Sequence, residues 1–181
     1  MCDIYIPAGA LPPDAEKELV KRVSEILVGH EMRRMADSTA DPAELAASRE
    51  HASSIAWMFV HRTETYVAGE MIEEPRYKFE VAIPEGLIDD VFRDSIVSDL
   101  TRAVADAESG KWRHVSRRVW VFTYEVPDGS WGGGGRTMHL RDIVDFVAPG
   151  RGAFAEQRFA DARRQAAAAT LALAERPKAT M

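Results

Sequence analysis

The sequence has a single cysteine, no long apolar run and no excess of positive charge. One thiol, Cys2, excludes an intrachain disulfide and a cysteine-rich metal cage. A membrane span needs about 18 consecutive apolar residues, and no run in the sequence approaches this length. Nucleic-acid binding needs a basic face, whereas the net charge is −6. No basic stretch followed by an apolar segment marks an export signal at the N-terminus. We therefore expect a cytoplasmic protein that contacts neither membranes nor nucleic acids.

Histidines are present, but not in the arrangement of a metal site. His30, His51, His114 and His139 have no metal-ligand spacing to one another or to acidic residues. We expect no metal and no other cofactor.

An internal repeat organises the chain. Ile6-Pro7-Ala8-Gly9 recurs 77 residues later as Ile83-Pro84-Glu85-Gly86. Each copy ends an apolar strand and precedes an amphipathic helix, the first of which is predicted to end at Gly29. A second apolar strand follows each helix, at residues 55–60 and 119–124. The first copy has 14 extra residues, and Asp41-Pro42 within them predicts an inserted helix.

Two strand–helix–strand units predict an α/β fold, with one four-stranded mixed sheet and two helices on one face. The outer strands are apolar at consecutive positions, from Trp57 to Val60 and from Val119 to Phe122. Strands of this kind are usually buried on both faces. The second face must then meet another subunit or the extra segments, so the pattern predicts an oligomer.

The end of the chain is predicted to be helical. A short helix is expected at residues 139–147, and an alanine-rich helix from Phe154 to Glu175 after the break at Pro149-Gly150. We place one domain at residues 1–148 and a helical extension at 149–181. Within the domain, the repeats cover about 1–70, with the insert at 32–50, and about 76–136.

The order of these segments resembles the tautomerase superfamily in its fused two-unit branch. That branch includes the cis-3-chloroacrylic acid dehalogenases, the malonate semialdehyde decarboxylases and proteins like macrophage migration inhibitory factor. The resemblance is carried by Cys2 to Leu11, Trp57 to Gly69 and Val119 to Gly132. It implies a trimer of fused chains with pockets near subunit contacts. It also implies an N-terminal proline whose amine moves protons on substrates that carry a carbonyl and a carboxylate.

The sequence departs from the family at this catalytic position. Counted back from Gly9, Met1 stands at the family's second residue, and the proline position precedes the first residue given. Pro75 cannot replace that proline, because its nitrogen lies in a peptide bond. The positions of the family's carboxylate-binding arginines hold Ala10, Trp57, Pro84, Leu87 and Trp120. The familiar tautomerase, dehalogenase and decarboxylase mechanisms are therefore not expected.

Other groups are candidates for catalysis. Met1 offers an α-amine with an ordinary pKa of about 8, and His61 and Tyr124 stand at the ends of the two long strands. Both side chains have ordinary alternatives, a solvated strand end for His61 and strand packing for Tyr124. Cys2 can act as a nucleophile if methionine is removed, although a small buried strand residue is the favoured interpretation.

Substrate binding has four candidates. Arg62, Arg76 and Arg136 can hold an anion, with a surface cation as the alternative for each. Trp131 is the aromatic residue that the family resemblance places in the closing turn. The glycine run after it lacks the Lys-Ser/Thr of a phosphate-binding loop.

The sequence thus predicts a homotrimeric protein of the tautomerase superfamily without an N-terminal proline. We expect it to bind a small molecule with a carbonyl or carboxylate group. If it is an enzyme, its acid–base chemistry is isomerase-like or lyase-like. Two alternatives stay open: a non-catalytic ligand-binding protein, and a structural subunit that assembles with a proline-bearing paralogue.

Overall fold

A computed structural model describes residues 1–36 and 41–174. The predicted insert (32–50) and the predicted C-terminal extension (149–181) each run partly outside these ranges. The described strands are β1 Cys2–Pro7, β2 Met58–Thr63, β3 Tyr66–Val67, β4 Glu70–Met71, β5 Tyr77–Pro84, β6 Val119–Val126, β7 Trp131–Gly133 and β8 Arg136–Met138. The described α-helices are α1 Pro13–Ala36, α2 Pro42–Ile55, α3 Asp90–Glu108, α4 Leu140–Val147 and α5 Gly152–Ala174.

The main sheet has four strands in the order β2-β1-β5-β6. β1 runs parallel to β2 and antiparallel to β5. Tyr77 N–H donates to Arg118 O at 2.7 Å, and Glu85 N–H donates to Val126 O at 3.0 Å. Residue numbers therefore increase in the same direction along β5 and β6, so these strands run parallel. The same register places Ala82 beside Tyr124. The predicted mixed sheet is confirmed.

Helices α1 and α3 provide the apolar core on one face of this sheet. Alternate residues of β1 and β5 point to this face, as the pleat of a strand requires, and a stripe on each helix meets them. The side chains buried there include Ile4, Ile6, Leu19, Val23, Phe79, Val81, Ile96 and Leu100. Each such side chain stabilises the fold by about 1.5–3 kcal/mol relative to an exposed one.

Aspartate side chains cap two helix starts, the first of which the sequence predicts. Asp41 Oδ1 accepts from Ala43 N–H at 2.8 Å before α2, and Asp89 Oδ1 accepts from Phe92 N–H at 2.8 Å before α3. These carboxylates satisfy amide groups that have no partner within the helix. No helix in residues 1–36 and 41–174 is both long and apolar enough to cross a membrane.

Two predicted boundaries are wrong. α1 does not end at Gly29 but continues to Ala36, because an interior glycine costs a helix only about 1 kcal/mol while Val28 and Met32 extend the buried stripe. The strand predicted at 55–60 begins three residues later, since Ile55 is the last residue of α2. From the sequence alone, an apolar residue at the end of a helix cannot be distinguished from the first residue of an apolar strand.

The described residues form two compact units. Unit 1 comprises Met1–Ile83 and Ile88–Glu125 and contains the greater part of the sheet. Unit 2 comprises Pro84–Leu87 and the described residues from Val126 onward. It contains the β7–β8 hairpin, α4 and α5, so this division falls at another place than the predicted domain boundary after residue 148.

Candidate functional site on the open face of the sheet

The face of the sheet opposite α1 and α3 carries large exposed aromatic side chains. Trp57 and Phe59 stand along one edge, with ring centroids 6.4 Å apart. Trp120, Phe122 and Tyr124 stand along the other edge, and their exposed fractions reach 67% at Trp120. We call this surface the open face. Exposed apolar surface of this extent is typical of a binding or assembly surface.

A polar network lies between the two aromatic edges. Tyr5 Oη donates to Glu80 Oε2 at 3.1 Å, and Lys78 Nζ donates to Glu80 Oε1 at 3.0 Å. The Lys78 ammonium also lies 3.8 Å from the centroid of the Tyr5 ring, a favourable cation–π distance. The His61 ring stacks on Tyr5 at 4.5 Å, and its Nε2 lies 2.6 Å from Asp3 Oδ1.

The charges of this network support one another. The Lys78 ammonium holds the pKa of the Glu80 carboxyl below its usual value. Desolvation and the hydrogen bond to Glu80 raise the pKa of the Tyr5 hydroxyl. Tyr5 and Lys78 therefore stay protonated at neutral pH while Glu80 stays ionised, which keeps both hydrogen bonds to the carboxylate in place.

Two predicted catalytic groups lie in one row across the sheet at one end of the open face, with β5 between them. Ala82 N–H donates to Met1 O at 3.0 Å, and the Met1 amine donates to Ala82 O at 3.2 Å. Met1 is thereby held beside β5, and Ala82 is flanked on its other side by Tyr124. Trp57 lies in the same row across the sheet, directly before β2, and its carbonyl accepts from Cys2 N–H at 3.0 Å.

The third predicted catalytic group lies away from this end. His61 is paired with Tyr5 across the β1–β2 ladder, four residues along β1 from Met1. At about 3.3 Å per residue this separation is about 13 Å. His61 therefore belongs to the polar network and does not share the row of Met1 and Tyr124.

The predicted arginine sites each have a carboxylate partner. Arg62 binds Glu16 of α1. Arg76 Nη1 donates to Glu74 Oε2 at 2.6 Å, and Arg136 Nη1 lies 3.3 Å from Asp142 Oδ1. A ligand anion at any of these arginines must compete with the carboxylate already there.

Cys2 is fully buried among apolar side chains. Burial raises the pKa of its thiol to about 12. The thiolate, which is the nucleophile, is therefore scarce at neutral pH. The structure favours the small buried strand residue over the nucleophile.

Cys2 of the folded protein is expected to resist alkylation. With a pKa near 12 against about 8.5 for a free thiol, the thiolate fraction at pH 8 is roughly a thousandfold lower than in the unfolded chain. Iodoacetamide labelling followed by intact mass measurement checks this, with the protein in guanidinium chloride as the control. Equal labelling rates in the two samples would contradict the burial of the thiol.

The remaining candidates, Trp131 and Arg136, lie in unit 2. Gly134 and Gly135 join β7 to β8 with φ values of 58° and 78°, which suit a two-residue type I′ turn that favours glycine. A concavity of about 580 Å³ borders the hairpin and is lined by both candidates, Ser130 and Thr137 among others. The glycine run is thus a hairpin turn beside a concave surface.

Sequence reasoning missed the residues of the polar network other than His61. A signal was present, because Asp3 and Tyr5 alternate with buried residues in β1, and Lys78 and Glu80 do so in β5. Alternation with period two marks the face opposite the core. It also missed that His139 lies 2.8 Å from Asp128, and the spacing of eleven residues contains no comparable signal.

The fold is found in several solved structures. Pt0534, whose structure was determined after inactivation by 2-oxo-3-pentynoate, is 18% identical with a TM-score of 0.54, over 75% of this chain and 94% of that one. A macrophage migration inhibitory factor-like protein from Entamoeba histolytica is 11% identical with a TM-score of 0.51, over 76% and 96%. The symmetric trimer of the fused 4-OT called Q0 is 18% identical with a TM-score of 0.50, over 83% and 98%.

The similarity to known proteins is confined to structure. No protein-family model matches the chain, and no curated protein matches its sequence. At such identities the solved structures show the fold and nothing finer. The chain therefore has the α/β fold of the tautomerases and of macrophage migration inhibitory factor.

Proposed function

We propose that the chain binds a small molecule with a carbonyl or carboxylate group at the Met1 end of the open face. In this proposal it moves a proton on that molecule with groups other than an N-terminal proline, in isomerase-like or lyase-like chemistry without a cofactor. The observation that carries the proposal is the shared row of the Met1 amine and Tyr124. The inactivation of Pt0534 by 2-oxo-3-pentynoate, an oxo compound, supports the substrate class.

The two groups have complementary roles in a keto–enol conversion. The neutral Met1 amine can keep its hydrogen bond to Ala82 O and still offer a lone pair to a proton on the carbon next to a carbonyl. The Tyr124 hydroxyl can donate to the carbonyl oxygen as negative charge develops there. Return of the proton to carbon or oxygen completes the isomerisation with no change in oxidation state.

Removal of the Tyr124 hydroxyl is expected to lower turnover strongly. With phenylenolpyruvate as substrate, Tyr124→Phe should reduce kcat by about 100-fold and change KM little. Its matched control is Tyr66→Phe, because Tyr66 is also exposed and its hydroxyl donates to the carboxylate of Glu64, two residues away. Complete inactivity of the unaltered protein across a panel of keto–enol substrates would argue against an enzyme. Full activity of Tyr124→Phe would argue against this site.

We further propose that the open face, apart from its Met1 end, is buried in a homotrimer. The exposed aromatic edges need a cover, and the fused 4-OT Q0, which has the same fold, is a symmetric trimer by its description. In a cyclic trimer each copy contributes two different patches, one to each neighbour, so the open face of one copy is covered by another part of the next copy.

A non-catalytic role is the second candidate, and the arginine pairing favours it. Arg62, Arg76 and Arg136 are each paired with a carboxylate, so none of them offers an unpaired cation to a substrate. A ligand-binding protein predicts thermal stabilisation by the ligand without turnover. A structural subunit predicts mixed trimers on co-expression with a proline-bearing paralogue, and homotrimers alone would exclude that role.

A further inference from the structure

Unit 2 holds a histidine–aspartate pair that the proposed site does not use. His139 Nδ1 lies 2.8 Å from Asp128 Oδ2, and Asp128 Oδ1 accepts from Leu140 N–H at 2.7 Å. The Asp128 backbone N–H donates to Glu85 Oε2 at 3.2 Å, and Arg163 binds both oxygens of Glu85 at 3.0 Å. The aspartate is therefore fixed by contacts on its side chain and on its backbone.

These contacts fix the ionised state of Asp128 and the tautomer of His139. Burial opposes ionisation of Asp128, but the hydrogen bonds from Leu140 and His139 outweigh it and hold the pKa of the carboxyl below its usual value. An ionised carboxylate only accepts hydrogen bonds, so Nδ1 of His139 carries the proton. This tautomer has its lone pair on Nε2, the form in which a histidine acts as a base.

Gly129 holds the imidazole in place. A side chain at this position would put its Cβ only 2.9 Å from His139 Cε1, and the φ of Gly129 is 76°. Glycine therefore allows the ring to lie directly against the turn. The side chain is 54% exposed, and Nε2 makes no hydrogen bond within the part of the chain that the structure describes.

Two other histidines with carboxylate partners are arranged differently. His30 is buried and meets Asp99 through Nε2 at 3.0 Å, and His61 meets Asp3 through Nε2. In both residues Nε2, the nitrogen farther from the backbone, already contacts a carboxylate. His139 is held through Nδ1, so its Nε2 is presented outward.

His139 borders a concavity of about 460 Å³ that Arg136 and Arg141 also line. Arg136 lies 3.3 Å from Asp142, and Arg141 donates to Glu156 at 2.9 Å. Exposed ion pairs of this kind stabilise a protein by about 1 kcal/mol or less. A ligand carboxylate can therefore exchange with either partner at small cost.

Capping of α4 explains only part of this arrangement. Asp128 accepts from Leu140 N–H, and Asp142 Oδ2 accepts from His139 N–H at 2.9 Å. Both contacts satisfy amides at the start of the helix and require only the carboxylates. The His139 side chain also belongs to the capping box of α4, but the contact of Nδ1 with Asp128 and the glycine beneath the ring are not needed for that box.

We propose that the His139–Asp128 pair is a second proton-transfer site, which takes a small keto acid bound between Arg136 and Arg141. His139 Nε2 removes the proton from the carbon next to the carbonyl, and the C–H electron pair forms the enol double bond as the carbonyl electrons move to oxygen. The imidazolium then returns the proton to oxygen or carbon. Asp128 is a positioning residue that stabilises the imidazolium. The inference rests on the proposed function, because it takes the same class of substrate.

The test compares His139→Gln, Asp128→Asn and a control, His51→Gln, in phenylenolpyruvate turnover across pH 5 to 9. All three substitutions are made in the Tyr124→Phe background, where turnover at the open face is reduced. There we expect His139→Gln to lower the residual kcat/KM by at least about tenfold and to remove the loss of rate on the acid side. In Asp128→Asn, kcat should fall with KM nearly unchanged, and the pH at which the rate falls on the acid side should change. If Asp128 has a purely structural role, its substitution leaves that pH unchanged. His51, on exposed α2 surface, is expected to change nothing. A parallel NMR titration with phenylpyruvate follows the Cε1–H resonance of His139.

The outcomes separate this inference from the proposed function. Residual turnover of Tyr124→Phe that the added His139→Gln leaves unchanged overturns the His139 site alone. Residual turnover that falls in His139→Gln, together with the loss of rate at acidic pH, supports the His139 site. A shifted His139 resonance without any turnover overturns proton transfer at both sites. Absence of both turnover and shift overturns the His139 site together with the enzymatic function.

Discussion

Glu108→Gln is expected to lower the free energy of unfolding by about 3–5 kcal/mol. Arg118 is only 1% exposed, and its Nη1 and Nη2 donate to the two oxygens of Glu108 at 2.6 and 2.5 Å. Glutamine supplies one acceptor and no charge, so the guanidinium stays buried without its bidentate counter-ion and keeps only the weaker contact of its Nε with Glu74 Oε1 at 3.5 Å. Urea unfolding followed by tryptophan fluorescence measures the change in midpoint.

Glu25→Gln is the matched control for this substitution. Glu25 pairs with Lys21 and Arg22 on the exposed surface of α1, where loss of a pair costs about 0.5 kcal/mol. A loss below about 1 kcal/mol in Glu108→Gln would show that the buried pair is solvated or replaceable. Arg118 also donates to Pro75 O at 3.2 Å and Arg113 O at 3.1 Å, so a double replacement by apolar residues should restore only part of the loss.

Trp120→Glu is expected to convert the proposed trimer into monomers. The side chain is 67% exposed in the single chain, so a charge there costs the fold little. In an assembly that covers the open face, the same carboxylate is buried beside Lys78, which already binds Glu80, at a cost of several kcal/mol, once in each chain. Sedimentation equilibrium at micromolar concentration reports the change in mass, and circular dichroism confirms that the monomer is folded.

Val91→Glu is the control for the effect of charge alone. Val91 is 75% exposed on α3, the helix layer on the other side of the sheet. This variant should remain trimeric. A monomeric unaltered protein, or a trimeric Trp120→Glu, would exclude the open face as the assembly surface.

The sheet and its helices were predictable because burial leaves a periodic trace in the sequence. The repeated Ile-Pro-x-Gly segments mark the ends of β1 and β5, and the apolar stripes of α1 and α3 follow them. The end of α1 was not predictable from Gly29, since the packing of Met32 decides how far the helix continues. Local propensity is a weak signal wherever tertiary burial opposes it.

The candidate site was less predictable, because partners distant in sequence determine what its side chains can do. Arg62 is an anion-binding candidate until Glu16 of α1 is seen to neutralise it. Met1 and Tyr124 share a row only through the register of β1, β5 and β6, which no single strand encodes. The polar network is intermediate: alternation in β1 and β5 predicts the face but not that Lys78 lies over Tyr5.

Glu85 breaks the symmetry of the duplicated fold. Its counterpart in the first repeat is Ala8, which has no carboxylate, so the two corners that follow β1 and β5 are equivalent in backbone role but not in chemistry. Arg163 of α5 binds both oxygens of Glu85, and nothing at Ala8 can accept the same fork. In a chain built from two similar halves, one side chain thereby distinguishes the two corners, and Arg163 of α5 can bind at the corner of β5 but not in the same way at that of β1.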